Sequence, residues 1–210
     1  WFGFEILGSV GSQLIFLERS GESGGLQSYL KFLTDRTNDW LKKRTDSGFN
    51  VPTASSGDQQ PISSIVMHAN PFTLGHLYLT ELAAEESRLV HLFILSEESP
   101  AFPSTDRWRV VENATDHIEN LIIHPTGPYL VSSATFPSYF LPTEDKITTL
   151  QAQLDAKIFR RYIAPALSIQ RRYLGTEPLS ETTRIYNEAM QSVFRDELDL
   201  VIVPRLQSDN

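Results

Sequence analysis

A chain of 210 residues with 40% hydrophobic side chains is long enough for one sizeable core plus a smaller appendage, which excludes disorder throughout. Its 18 basic against 26 acidic residues leave a net charge of -8, so the overall balance recruits neither nucleic acid nor an anionic membrane, and a polyanionic ligand must be held by local cations. The absence of cysteine removes disulfides, thiolate metal sites and a cysteine nucleophile together and fits a reducing, cytoplasmic setting, while no apolar run approaches the ~20 residues of a membrane span.

The start, Trp1-Phe2-Gly3-Phe4, carries neither an initiator Met nor the regions of a signal peptide and reads as a cut end. Two short apolar runs, 2–7 and 13–18, are split by Gly8-Ser9-Val10-Gly11 and read as a hairpin turning at those glycines. Behind Gly24-Gly25, the residues Leu26, Leu30, Leu33 and Trp40 recur at helical spacing and predict a helix over 26–43. A hairpin alone is marginal in water, so 1–43 reads as part of an incomplete domain. From 44 to 61 the chain turns to Ser, Thr, Asp, Gln, Gly and Pro, the composition of an exposed linker at a domain boundary.

Over 62–210, short apolar runs alternate with helical patterns. Strands are predicted at 62–67, 89–95, 121–124, 171–175 and 200–203. Helices are predicted through Leu82, around Trp108, Val111, Ala114 and Ile118, over Ile147 to Ile158 with Thr143 as cap, and around Ile185, Ala189 and Val193. Strands apolar nearly throughout, alternating with helices, argue an α/β fold: a parallel sheet with helices on both faces. Ligands then belong at the carboxyl ends of the strands.

The segment Met67-His68-Ala69-Asn70-Pro71-Phe72-Thr73-Leu74-Gly75-His76 leaves the first of these strands and enters its helix. Asn70 and Pro71 stop the strand, and Thr73 or Gly75 lies near the helix start, where free N–H groups and the helix dipole favour phosphate. Gly75 leaves room for a nucleotide. Thr73 and His76, three apart, share one face of a first helical turn, and a protonated His76 there counters charge developing in a transition state.

Asn70-Pro-Phe-Thr-Leu-Gly-His76 resembles the first motif of the nucleotidyltransferase superfamily, HxGH in its TxGH variant, with Thr73 in place of the first histidine. Ala134-Thr-Phe-Pro-Ser-Tyr-Phe140, Ile158-Phe-Arg-Arg-Tyr-Ile-Ala-Pro165 and Gly175-Thr-Glu-Pro178 with Thr183 and Tyr186-Asn187 resemble the citrate lyase ligase family in order and spacing, over 63–206. The hairpin with Phe2-Gly-Phe4 is similar to the last strands of the acetyltransferase-like domain that precedes the nucleotidyltransferase domain in that family. The resemblance therefore implies a Rossmann-like nucleotidyltransferase domain at 62–210 behind an α+β remnant at 1–43 and the 44–61 linker.

The resemblance further implies an enzyme in which acetate attacks the α-phosphate of ATP and the acetyl-adenylate passes its acyl group to a thiol. That thiol is the phosphoribosyl-dephospho-CoA arm of the citrate lyase acyl-carrier subunit. Thr73 and His76 are then catalytic, and His68, Asn70, Phe72, Gly75, Gly175, Glu177 and Arg184 contact the nucleotide. Mg2+ arrives with the ATP, no acidic cluster having the spacing of a dedicated cage. The superfamily's second phosphate motif, ISxSxxR, is not found in Leu206-Gln-Ser-Asp-Asn210, which predicts weak activity for residues 1–210 alone.

Other residues divide between sharp and bland roles. Glu177 ends a predicted strand, where a polar group has access to ligand, and Arg184 lies one turn after Ser180, within bidentate reach of phosphate. Arg107, just inside a helix start, suits a solvated surface charge as well as a phosphate ligand, and Arg160-Arg161 with Arg171-Arg172 read as solvated surface. Phe136, Tyr139 and Phe140 read as packing rather than substrate contacts. Two rivals remain: an adenylyltransferase of the phosphopantetheine or nicotinamide nucleotide type, and a non-catalytic nucleotide-binding module.

Overall fold

The computed structural model describes residues 3–19, 24–46, 48, 60–98, 103–139, 144–176, 180–195 and 197–205. The chain opens with β1 (Phe4–Val10) and β2 (Leu14–Arg19), paired antiparallel. Their turn lies later than the glycine pattern suggests: Gln13 N–H donates to Val10 O at 3.2 Å, with Gly11 in left-handed backbone at φ 54. Gly8 stays in the strand, because a Cβ there would come within 2.9 Å of Leu154 Cδ1. It serves close packing rather than a turn.

The helix α1 (Leu26–Asp46) runs three residues beyond its expected end, into the expected linker, of which 47 and 49–59 lie outside the described residues. Leu26, Tyr29 and Leu33 are buried. The Tyr29 hydroxyl donates to Pro125 O at 3.0 Å and Arg36 Nε to Ile123 O at 2.8 Å, so α1 clasps the edge of the sheet that follows.

That sheet comprises β3 (Ile62–Met67), β4 (Leu89–Ile94), β5 (Leu121–Pro125), β6 (Arg171–Gly175) and β7 (Asp199–Val203). All four pairings are parallel, in the order β5-β4-β3-β6-β7. Every residue of β4 is buried, the burial pattern of a central strand covered on both faces. Ile65, Leu92 and Ile94 pack with Leu79 and Ala83 of α2 (Leu74–Glu85) and Val111 of α3 (Ser104–Thr115). Phe93, Ile122 and Leu174 face the other way, into a cluster with α1, α4 (Asp145–Ile158) and α6 (Glu181–Phe194). Each such buried side chain contributes roughly 1.5–3 kcal/mol of hydrophobic stabilisation. The expected α/β architecture with helices on both faces is therefore present.

The N-cap of α4 is Glu144; Thr143, expected there, lies outside the described residues. The helix continues through a π-helical turn at Phe159–Ile163 into the single turn α5 (Ala164–Ala166). Two arginines are fully buried: Arg172, expected at the surface, and Arg107, for which a surface charge and a phosphate ligand stood equal. Arg107 Nη2 donates to Leu95 O at 3.1 Å and also to Glu97 O, closing the loop after β4. Arg172 lies over the Phe159 ring at 4.5 Å and donates to the Tyr186 hydroxyl at 3.1 Å, which in turn donates to buried Asp155 at 2.6 Å. Its neighbours Arg171 and Arg160 do pair at the surface, with Asp199 and Glu197. Among the described residues no helix is long and apolar enough to cross a membrane.

Candidate functional site

Strand order reverses between β3 and β6: the chain leaves β3 to build β4 and β5 on one side, then returns to add β6 and β7 on the other. Connections depart in opposite directions at such a switch point, leaving a crevice at the carboxyl ends. Beyond Met67 the backbone passes His68, turns at Ala69, which is buried with φ 53, and enters α2 with Thr73 as N-cap in extended conformation. The carbonyl of Thr73 accepts from the amides of His76 and Leu77 at 3.0 and 3.1 Å. The expected strand-to-helix junction at 73–76 is thus present.

His76 closes this turn from its own side chain. Nδ1 accepts from the Thr73 N–H at 3.0 Å, and the Thr73 hydroxyl lies 2.9 Å from the same nitrogen. The ring takes the position usually filled by Glu or Gln in a capping box. A backbone amide can only donate, so Nδ1 holds a lone pair and the proton sits on Nε2, a tautomer assigned from this geometry. The Phe72 ring stacks on the imidazole with centroids 5.6 Å apart and planes at 21°.

A cavity of about 250 Å³ opens at this corner, lined by His68, Thr73, Gly75, His76 and Gly175 and completed by Thr176, Thr183 and Arg205. Burial, then the charge of Arg107, push the His68 imidazole below its usual range, so it stands neutral at the cavity wall. Thr176 closes the β6–β7 side: its N–H donates to Val203 O at 2.9 Å and its hydroxyl oxygen accepts from Arg205 N–H at 2.9 Å. Hydroxyls, helix amides and imidazoles around one opening that Arg205 also lines suit an anionic ligand. Among the described residues no group of three or more His, Asp or Glu side chains is placed to hold a metal ion.

Of the residues expected at the site, the structure brings together His68, Thr73, Gly75, His76 and Gly175. Asn70 and Phe72 stand in the turn without lining the cavity, and Phe72 reaches it only through His76. Glu177 lies outside the described residues. Arg184 is turned away, its guanidinium held by Glu181 and Glu188 on the same helix, whose carboxylates raise its pKa. Thr183 lines the cavity, and one residue further along a helix is about 100° of rotation, which faces Arg184 to solvent. Thr183, Tyr139 and Arg205 line the cavity without having been expected there; the signal available for Arg205 was its place two residues beyond the last strand.

A parallel sheet in this order, with a helix entered at its switch point, defines a Rossmann-like α/β domain. The chain belongs to the citrate lyase ligase family: the model of the citrate lyase ligase C-terminal domain matches residues 62–210. It is 44% identical to the [citrate [pro-3S]-lyase] ligase of Klebsiella pneumoniae over 63% of this chain and 39% of that protein. It is 33% identical to the ligase of the same name from Haemophilus influenzae over 99% of this chain and 58% of that protein. The chain thus spans well under two thirds of the relatives' length. Among solved structures, pantothenate synthetase from Thermus thermophilus matches with a TM-score of 0.44 at 16% identity, over 72% of this chain and 58% of that one.

Proposed function

We propose that the protein is an ATP-dependent acid–thiol ligase that activates acetate as its adenylate. An acetate oxygen attacks the α-phosphorus, a new O–P bond forms, and the bond to the β-phosphate breaks with release of pyrophosphate. The sulfur of the phosphoribosyl-dephospho-CoA arm on the citrate lyase acyl-carrier subunit then attacks the acyl carbon. A thioester forms, AMP leaves, and the thiol proton passes to solvent. Mg2+ travels with the triphosphate, and the reaction takes place in the cytoplasm. Residues 1–43 belong, in this reading, to an acetyltransferase-like domain, joined through 44–61 to the nucleotidyltransferase domain.

Phosphoryl substitution demands positioning and charge neutralisation more than a covalent nucleophile. The observation that carries the reading is the Thr73–His76 corner: an amide-anchored imidazole whose Nε2 carries the proton, at the N-terminus of α2 and at the switch point. A fixed donor there costs no reorganisation as charge moves onto the phosphate oxygens. On a chain of net charge -8, Arg205 contributes a local cation and the neutral imidazole of His76 a fixed N–H donor, which supports a triphosphate at this cavity. The test is exchange of labelled pyrophosphate into ATP by the full-length parent. Exchange that requires acetate is expected. Exchange without any acid, or only with a phosphorylated acceptor, would point to an adenylyltransferase, and failure to bind ATP to a non-catalytic module.

A further inference from the structure

Beside the 250 Å³ cavity lies a second, smaller one of about 90 Å³. The two share His68, Tyr139, Gly175 and Thr183, so ligands in them would be neighbours. The inner space is about a third of its neighbour's, on the scale of a short carboxylic acid rather than of a nucleoside. On the boundary with the larger cavity His68 and Thr183 present polar groups among Val66, Met67 and Leu79. Leu95, Val131 and Leu174 give the inner walls an apolar stretch beside Tyr173, Tyr186 and Asn187. A short acid fits with its alkyl end among the aliphatic walls and its carboxylate towards the nucleotide.

The inner walls are also stiff. Asp155, fully buried on α4, accepts from Val131 N–H at 2.7 Å, from the Thr135 hydroxyl at 2.8 Å and from the Tyr186 hydroxyl at 2.6 Å. One carboxylate therefore ties the wall contributed by the 130s segment to the wall contributed by α6. Arg172 donates to the Tyr186 hydroxyl from the far side, and Phe136 packs its ring 5.3 Å from Tyr186 and 5.7 Å from Tyr139. Walls locked by packing and buried hydrogen bonds cannot yield to a larger guest, which makes the space a size filter rather than an adaptable surface.

We infer that this inner cavity seats the acid substrate and that Val131, Tyr139 and Tyr186 set the longest acyl chain the enzyme accepts. The inference rests on the acid–thiol ligase reading, and adds to it the residues that decide which acid is used. Val131 lines only the inner cavity and sits in left-handed backbone at φ 44, so glycine fits its backbone while removing the wall. Tyr139 is half-buried, and its truncation opens the boundary between the cavities.

Val131→Gly and Tyr139→Ala in the full-length parent, assayed by pyrophosphate exchange with acetate, propionate and butyrate, test this. Each added methylene is worth on the order of 10-fold in a hydrophobic pocket, so the butyrate-to-acetate ratio of kcat/KM should rise by at least about 10-fold in each variant. For Val131→Gly the KM for ATP should stay within about 3-fold, since the nucleotide cavity keeps its walls. Acid-dependent exchange with an unmoved ratio in folded variants overturns the assignment of the pocket while leaving the ligase reading intact. Parent exchange that needs no acid overturns both. Should Val131→Gly not fold, Tyr139→Ala decides alone.

Discussion

The backbone N–H of Thr73 donates to Nδ1 of His76 at 3.0 Å, so the residue at the third position of α2 caps its own helix and is oriented by it. His76→Ala removes both roles. Exchange should fall by about 10²–10³-fold, as when one oriented donor to a developing oxyanion is lost. Stability should fall by about 1 kcal/mol through the broken cap. His76→Gln, which keeps an acceptor for the Thr73 amide, should recover the stability measured by urea unfolding but not the rate. Full rate in the alanine variant would remove His76 from the chemistry.

Gly75 separates ligand from fold. A Cβ at this position meets only Thr73 Oγ1, at 3.7 Å, an ordinary contact, and alanine is the better helix former. Gly75→Ala should therefore melt no lower than the parent while binding ATP about 10-fold more weakly, because the added methyl occupies space where a phosphate approaches the helix amides. Calorimetric titration with ATP checks it, and unchanged affinity would place the nucleotide elsewhere.

Arg184 is held at the surface by Glu181 and Glu188. Exposed pairs of this kind contribute little, and the side chain faces away from the cavity, so Arg184→Ala should leave pyrophosphate exchange within about 3-fold. A loss approaching 100-fold would instead require this guanidinium to swing into the site, on the scale of removing a direct transition-state donor.

His91 and His124, neighbours on β4 and β5, meet Nδ1 to Nε2 at 2.9 Å and are both fully buried, with Arg36 of α1 close to His124. Burial pushes His91 down to about 3 and, together with His91 and Arg36, holds His124 well below its usual range. The folded protein keeps both neutral, whereas the unfolded chain takes up a proton on each near pH ~6.5. Stability is therefore intact above that pH and declines as pH falls towards the depressed folded values, by about 1.4 kcal/mol per pH unit for each histidine. Buried Asp155, whose carboxyl burial pushes up, acts in the opposite sense at lower pH, so the window to measure is about 6.5 to 5. Urea midpoints across it should shift steeply, and with a clearly smaller slope in His91→Gln; His68, also held low, adds in the same sense. A flat profile would contradict the neutral pair.

Much of this architecture was readable residue by residue. The strands at 62–67 and 171–175 have the predicted bounds; for 62–67 the apolar and β-branched run Ile62, Ile65, Val66 and Met67, ended by His68, registers locally. The hairpin turn was misplaced because Gly8 answers to Leu154, nearly 150 positions away, and nothing near Gly8 in the chain records that contact. Charge ordinarily stays in water, so Arg172 reads as surface in the sequence, and Arg107 as surface or phosphate ligand alike. Only the carbonyls of Leu95 and Glu97, and the Asp155–Tyr186 pair, reveal why these two are inside.

The candidate site divides along the same line. Its helix-entry corner is built from ten consecutive residues, so capping chemistry and the strand-to-helix switch are written in one stretch and could be read from it. Thr176, Thr183, Arg205 and Tyr139 join that corner only because β6 pairs beside β3 and the 130s segment folds under α4 and α6. The direction in which Arg184 points was decided the same way, by the rotation of α6 on its buried face. Local hydrogen bonding and hydrophobic period act between neighbours in the chain and so determine elements and motifs. Which distant walls enclose a cavity, and how large it is, depends on packing between elements, and that exists only once the sheet and its helices have closed.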